Sequence, residues 1–566
     1  MVKCTDGVEK ERLKNTYKEA KRQAKKTVAE AKDKAYREMY KFHETKEGEH
    51  VMFKIAKARE RKRQDIGLVR FIKGEDGRVL VKEKDIRERW QTYFSELFNN
   101  TDNAEGSEHL TNGETQRNNC YYRCVTKEEV QRELRKMRKA KEVGPDNIPI
   151  EVWICLQDEG ISWLTTFFNT IIKTGKMPDQ WRISVLVPLY KNKGDAQCCT
   201  NYRGIKLLFH TMKFWERVIE TRLRRENQVT ENQFGFMPGR STTEATHILR
   251  RMMESYREKK RDLHMVFIDL EKAYDSVPRQ VICDSLERRS IPWTYIEVGL
   301  HQGSALSPFL FAVILDELSR SIQQDIPWCM LYADDIVLMV ENKEDLNARL
   351  EEWRFALESK GLRISRSKTE YLYCNFSGSV DDDNHLTIGD QEVSKTARFK
   401  YMGSFVQRDG DVDCDVAHRV QAGWNRWRAA TSIQCDKRFP EKLKGKFYKV
   451  VVRPAMMYGS DCWPIKKIQA RKLETTEMRM LRWMSGHTRI NRIRNEVIRE
   501  RLGVACISDK VREGRLRWFG NVKRRDLTAP VRRVENLTVV GKRYRGRPRL
   551  TCEKTDSPGF IRIAPL

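Results

Sequence analysis

The chain has 566 residues, of which 108 are Lys or Arg and 80 are Asp or Glu, a formal net charge of +28. That length allows several domains and a sizeable core, and the basic surplus favours polyanionic partners through phosphate contacts and counterion release. No apolar run is long enough to span a bilayer, no signal-peptide core opens the chain, and the 14 cysteines are scattered like reduced intracellular thiols rather than a disulfide or zinc framework.

Residues 8 to 64 are rich in Lys, Glu and Ala, which predicts a long helix with few apolar positions, solvated or lying along nucleic acid. Val69–Ile72 and Val79–Val81 flank Gly74-Glu75-Asp76-Gly77 and predict a hairpin. Asp85 to Phe98 follows as an amphipathic helix with Ile86, Trp90, Tyr93, Phe94 and Leu97 on one face. Residues 99–119 read as a polar linker. Thr126 and Glu129 form a capping-box pattern opening a helix to about Lys141. From there to about 405, helices alternate with short strands, which predicts an α+β core. After about 411 the chain is mainly helical and aromatic-basic, and beyond about 520 it is Arg-rich without hydrophobic periodicity.

Three acids carry the chemistry. Cys329–Tyr332 and Ile336–Val340 read as buried strands, with Asp334 and Asp335 at the turn between them. Asp269 ends a similar run, Met265-Val266-Phe267-Ile268. An isolated Asp-Asp pair is ordinarily a solvated turn. Carboxylates beside an apolar sheet are costly unless a cation neutralises them, and three of them suit hard Mg²⁺ in a two-metal phosphoryl-transfer site.

Phe267-Ile268-Asp269-Leu270-Glu271-Lys272-Ala273-Tyr274-Asp275, Gly299-Leu300-His301-Gln302-Gly303-Ser304 and Tyr332-Ala333-Asp334-Asp335 occur in that order. Gly361 to Glu370 and Phe399-Lys400-Tyr401-Met402-Gly403-Ser404 come next. Upstream lie Val187 to Asp195, Asn201 to Leu208, Gly144 to Pro149 and Gln233 to Ser241. With these motifs the chain resembles the reverse transcriptase of non-LTR (LINE-like) retrotransposons, RTE-type, from about residue 35 to about 550.

The resemblance implies a right-hand polymerase fold, with fingers, palm and helical thumb, between a basic helical N-terminal extension and a basic C-terminal tail. The divisions are 1–64 (extension), 65–119 (small unit and linker), 120–405 (fingers and palm), 406–510 (thumb) and 511–566 (tail). It implies an RNA-directed DNA polymerase adding dNTPs to a primer 3′-hydroxyl on an RNA template, with a DNA primer or target and two Mg²⁺ ions, replaceable by Mn²⁺. Asp269, Asp334 and Asp335 are the catalytic metal ligands in this reading. Arg203 meets the triphosphate, assisted by Lys191 or Lys193. Tyr274 lies beneath the incoming sugar and disfavours a 2′-hydroxyl, and Gln302 and Gly303 support template and nucleotide. Lys368 faces the leaving pyrophosphate or is simply solvent-exposed.

Arg240 either contacts template phosphate or forms an internal salt bridge. Lys542 to Arg549, with Arg545, Arg547 and Arg549, resembles an AT-hook for a narrow minor groove. The interleaved Trp424, Trp427, Trp483 and Trp518 either stack on bases or form the thumb core. The expected location is the nucleus, with a cytoplasmic ribonucleoprotein stage, and no membrane association is expected.

The chain departs from the family in three respects. Ile291 to Ile296 runs straight into Glu297 and the Gly303 loop, where the family has a further helix and strand pair, so an internal deletion is expected. The endonuclease of intact elements is missing, so target nicking is not expected. The sequence after Cys552 matches nothing in the family. A catalytically inactive nucleic-acid-binding remnant is therefore the alternative reading.

Overall fold

A computed structural model describes residues 7–41, 71–99, 123–191, 193–274, 277–291, 300–378, 385–436 and 439–541. The chain divides into two compact units. One comprises Met1–Gly67, Val416–Tyr458 and Lys466–Gly514; the other comprises Leu68–Asp415, Gly459–Ile465 and Arg515–Leu566. No helix among the described residues is long and apolar enough to cross a membrane, and no disulfide joins the described cysteines.

The larger unit is α+β, as expected, and starts with the predicted hairpin, shortened to β1 (Ile72–Lys73) and β2 (Val79–Leu80). The amphipathic helix spans Glu83–Asn99. These pieces do not stand apart as a separate unit. Tyr93 and Phe94 are buried in one cluster with Ile72 and Cys199, and Trp90 and Leu186 pack on it. The cluster covers the antiparallel hairpin β3 (Val185–Tyr190) and β4 (Tyr202–Leu207). Gly204 is needed there, since a Cβ would lie 2.7 Å from the Phe94 ring.

Thr126 makes both capping-box bonds with Glu129, and its helix stops at Lys136, short of the expected Lys141. Glu129 also takes Arg222 Nη2 at 2.8 Å, which ties this helix to His210–Glu226.

The central sheet is five-stranded, with spatial order β11 (Ser394–Lys395), β8 (Glu370–Cys374), β5 (Leu263–Ile268), β7 (Asp335–Val340), β6 (Cys329–Tyr332), and a short antiparallel pair, β9 (Thr387–Ile388) and β10 (Gln391–Glu392), lies between β8 and β11 in the chain. Every residue of β5 is buried, which is why that strand reads as a continuous apolar run rather than an alternation. One face packs on the helix Thr242–Lys259 through Ile248, Met252 and Tyr256, in a cluster with Met265 and Phe267. The other packs on Ser307–Ser319 and Lys343–Glu358 through Phe311, Leu315, Leu350 and Trp353, with Val266 and Ile268. This sheet stands where the palm was expected.

A hairpin of β12 (Arg398–Tyr401) and β13 (Ser404–Gln407) follows. Its anchor is Asp415, wholly buried. The carboxylate accepts from Arg250 Nη2 and Trp463 Nε1, both at 2.9 Å, from the Ser404 hydroxyl, and from the Phe405 amide at 3.1 Å.

The Arg-rich stretch after 520, which lacks hydrophobic periodicity, nevertheless contributes to the core. Val522, Val531, Val534 and Val539 are buried with the Thr242–Lys259 helix, and Arg525 pairs with Glu244 at 2.9 Å. The smaller unit is helical. It holds the predicted N-terminal helix as Gly7–Lys41, whose described side chains are exposed, and the helices Lys467–Met484 and Asn495–Leu502.

Candidate active site

β5 and β7 are antiparallel, and their last register pair is Ile268↔Ile336. Asp269 follows directly on β5 and Asp335 opens β7, so both acids lie at the same end of the sheet. Asp334 sits in the two-residue turn joining β6 to β7. The turn needs help, because Ala333 has φ +56°, a region disfavoured for a residue with a Cβ. Gln233 supplies it by accepting the Ala333 amide at 3.0 Å and the Gly235 amide at 2.8 Å. Gly235 is required there, since a Cβ would lie 2.3 Å from the Ala333 nitrogen. Gln233 and Gly235, the first and third residues of the Gln233-to-Ser241 motif, thus brace the turn that carries Asp334.

The acids feel one another. Burial raises Asp334 above its ordinary range, and the charge of Asp269 adds to this, while Arg203 and Lys368 oppose it. Asp335 is pushed to about 7, first by burial and then by Asp334 and Asp269, against Lys368. Lys368 Nζ lies 3.0 Å from Asp269 Oδ2. Its position follows from the backbone, where the Ser365 amide donates to the Asp269 carbonyl and the Glu271 amide to the Arg363 carbonyl.

As a donor set, three carboxylates suit a hard divalent cation, and the raised Asp334 and Asp335 mark negative charge in want of compensation. Among the described residues, however, no three His, Cys, Asp or Glu side chains are gathered as a metal-holding group. The Lys368 ammonium is the cation at Asp269.

Around the acids, Arg203 is exposed on β4 opposite Leu189. Lys191 is turned to its own hairpin, donating to the Thr200 carbonyl at 2.9 Å. Tyr274 packs on Phe311 with ring centroids 4.7 Å apart. Its hydroxyl is buried with no hydrogen-bond partner and is raised by burial and by the charge of Asp334.

The Gln302 carbonyl accepts the Lys206 amide at 2.9 Å. Gly303 has φ +119°, and a Cβ there would lie 2.2 Å from the Lys206 carbonyl oxygen, so only glycine fits. Glu216 fixes the same loop, accepting the Ser304 hydroxyl at 2.6 Å and the Ala305 amide at 2.7 Å. Burial pushes Glu216 to about 7. Its only signal in the sequence was an acid on the apolar face of its helix, between Met212, Trp215 and Ile219.

Arg240 takes the internal alternative, bound to buried Glu244 at 2.7 Å. Arg545, Arg547 and Arg549 lie outside the described residues, as do 292–299, where the expected deletion falls.

Residues 190–406 match the family "Reverse transcriptase (RNA-dependent DNA polymerase)". The chain carries a reverse transcriptase domain. It is 26% identical to a Pol polyprotein from the type-1 retrotransposable element R2 of Nasonia vitripennis, over 49% of this chain and 31% of that one. To the RNA-directed DNA polymerase from mobile element jockey of Drosophila funebris it is 25% identical, over 69% of this chain and 47% of that one. The chain thus spans less than half the length of these relatives. A telomerase from Candida albicans, solved with a fragment of telomeric RNA, aligns over 67% of this chain and 71% of its own at 12% identity; its TM-score of 0.28 is too low to bear on the fold. The resemblance to non-LTR retrotransposon reverse transcriptases is borne out, and the three acids and the Gly303 loop all fall inside the reverse transcriptase domain.

Proposed function

We propose that the protein is an RNA-directed DNA polymerase of a non-LTR retrotransposon, extending a DNA primer on an RNA template. The observation that carries this is the meeting of Asp269, Asp334 and Asp335 at one end of the sheet, where the charges of Asp269 and Asp334 oppose the ionisation of Asp335. The primer 3′-hydroxyl loses its proton to solvent and attacks the α-phosphorus of a dNTP; a phosphorus–oxygen bond forms, the bond to the bridging oxygen breaks, and pyrophosphate leaves. Asp269, Asp334 and Asp335 would hold divalent cations, Mg²⁺ or Mn²⁺, which when bound neutralise charge on the attacking and leaving oxygens. Arg203 meets the triphosphate with a forked donor, and Tyr274 lies beneath the sugar. Gln302 and Gly303 bring bare backbone against the base pair. Lys368 leaves Asp269 for the pyrophosphate. Action in the nucleus, reached as a ribonucleoprotein, belongs to the same proposal.

The pairing of Lys368 with Asp269 favours a second reading, an inactive nucleic-acid binder. Primer extension on poly(rA)·oligo(dT) with Mg²⁺ or Mn²⁺ separates the two. Extension by the wild type, lost in Asp269→Asn and Asp334→Asn with folding intact, supports the polymerase. Undiminished extension by either variant rejects the site.

A further inference from the structure

In the helical unit, an open cleft of about 690 Å³ lies against the helices Lys467–Met484 and Asn495–Leu502, lined among others by Arg479, Arg482, Trp483 and Arg489. That volume is in the range of pockets that take a nucleotide-sized ligand. Trp483 leaves 49% of itself exposed, yet its ring is held in place, 5.7 Å from Trp424 and 5.4 Å from Trp427 between centroids. An ordered, half-exposed indole is a preorganised stacking surface, and stacking accepts any base.

The charges are arranged to suit. Arg482 fastens the connecting loop by donating to the Ile493 carbonyl and to Asn495 Oδ1, both at 2.8 Å. Arg499 faces Glu477 at 3.5 Å. Arg479, whose guanidinium lies over the Trp424 ring at 5.8 Å from its centroid, and Arg489 are both exposed, and with Arg482 and Arg499 they outnumber the two acids of the lining, Glu474 and Glu496. Ile490, 89% exposed, projects at the loop tip beside Arg489.

We propose that this cleft binds single-stranded nucleic acid, with one base stacked on Trp483 and the adjoining phosphates met by Arg479 and Arg489. The site is built wholly within the helical unit and does not depend on the polymerase reading. An acidic peptide would use the arginines but leave the indole face idle.

The test is photo-crosslinking of the full chain to a short 4-thiouridine-substituted oligouridylate, mapped by mass spectrometry. Cross-links are expected within residues 479–499, with yield reduced about fivefold or more by Trp483→Ala and by Arg489→Glu. Arg489 lies on an exposed turn, so its variant remains informative if Trp483→Ala disturbs the tryptophan cluster. Asp334→Asn should leave the cross-link unchanged, which separates this site from the polymerase. Cross-links confined to other segments, or insensitive to Arg489→Glu, would overturn the proposal. So would displacement by polyglutamate as readily as by oligothymidylate, which would assign the cleft to an acidic peptide.

Discussion

Lys368 places its ammonium 3.0 Å from the Asp269 carboxylate, so a side chain already meets part of the demand that a divalent cation would meet. The pair is open to solvent, with 62% of the lysine side chain exposed, and such pairs are worth about 1 kcal/mol or less. Lys368→Ala should therefore tighten Mn²⁺ binding by at most about fivefold, read by titration calorimetry, while slowing nucleotide addition. Weaker Mn²⁺ binding in the variant would show that the ammonium does not compete with the metal.

Asp335 carries the clearest pH dependence. With its carboxyl pushed to about 7, the folded chain retains a proton that the unfolded chain has released from about pH 4 upward, so stability falls as pH rises across that window. Asp335→Asn should stabilise the metal-free protein at about pH 8 by on the order of 2 kcal/mol, with the gain fading toward about pH 4. Urea midpoints at the two pH values measure this. The same variant should extend primers at least about 100-fold more slowly.

Glu216 offers two oxygens to two donors, Ser304 and Ala305. In Glu216→Gln one donor faces an amide NH₂ instead, at a cost of about 1–3 kcal/mol. The expected signature is a raised KM for dNTP with a smaller change in kcat. Because Glu216 titrates near 7, the variant and wild type should converge below about pH 6 and separate above it. A KM difference independent of pH would mean that the Glu216 charge does not set the loop.

Asp415→Ala would strand the Arg250 guanidinium in the interior and release Ser404, Phe405 and Trp463 together. Breaking such a buried pair costs about 3–5 kcal/mol. Chemical denaturation should show a loss of that size, and a loss well under 1 kcal/mol would contradict the role given to this anchor.

Tyr274 separates ring from hydroxyl. Its hydroxyl is buried without a hydrogen-bond partner, so Tyr274→Phe should be neutral or stabilising by up to about 1 kcal/mol and keep discrimination against ribonucleotides. Tyr274→Val should admit ribonucleotides in primer extension. Equal sugar discrimination by both variants would remove Tyr274 from the nucleotide site.

The sequence made visible whatever is local. Cys329–Tyr332 and Ile336–Val340 read as strands because their apolar runs are short and bounded, and Thr126 with Glu129 announced a helix start because the capping box closes within three residues. What stayed hidden depends on partners far along the chain. Asp415 lies in a first helical turn, an ordinary place for an acid, and its partner Arg250 comes from far upstream in the chain. Arg240 was legible as a cation, yet its partner Glu244 was not singled out by the sequence. The valines after 520 are spaced irregularly because they serve turns and short helices, so no period betrayed their burial.

Those valines bear on how the protein is to be handled. Val522, Val531, Val534 and Val539 share a core with Met252 and Phe267, whereas the recognisable family match stops at residue 406. An expression fragment trimmed to that match would leave a greasy face on the Thr242–Lys259 helix open to solvent and prone to self-association. The shortest autonomous piece must reach about Gly541, where the backbone meets Lys259 again.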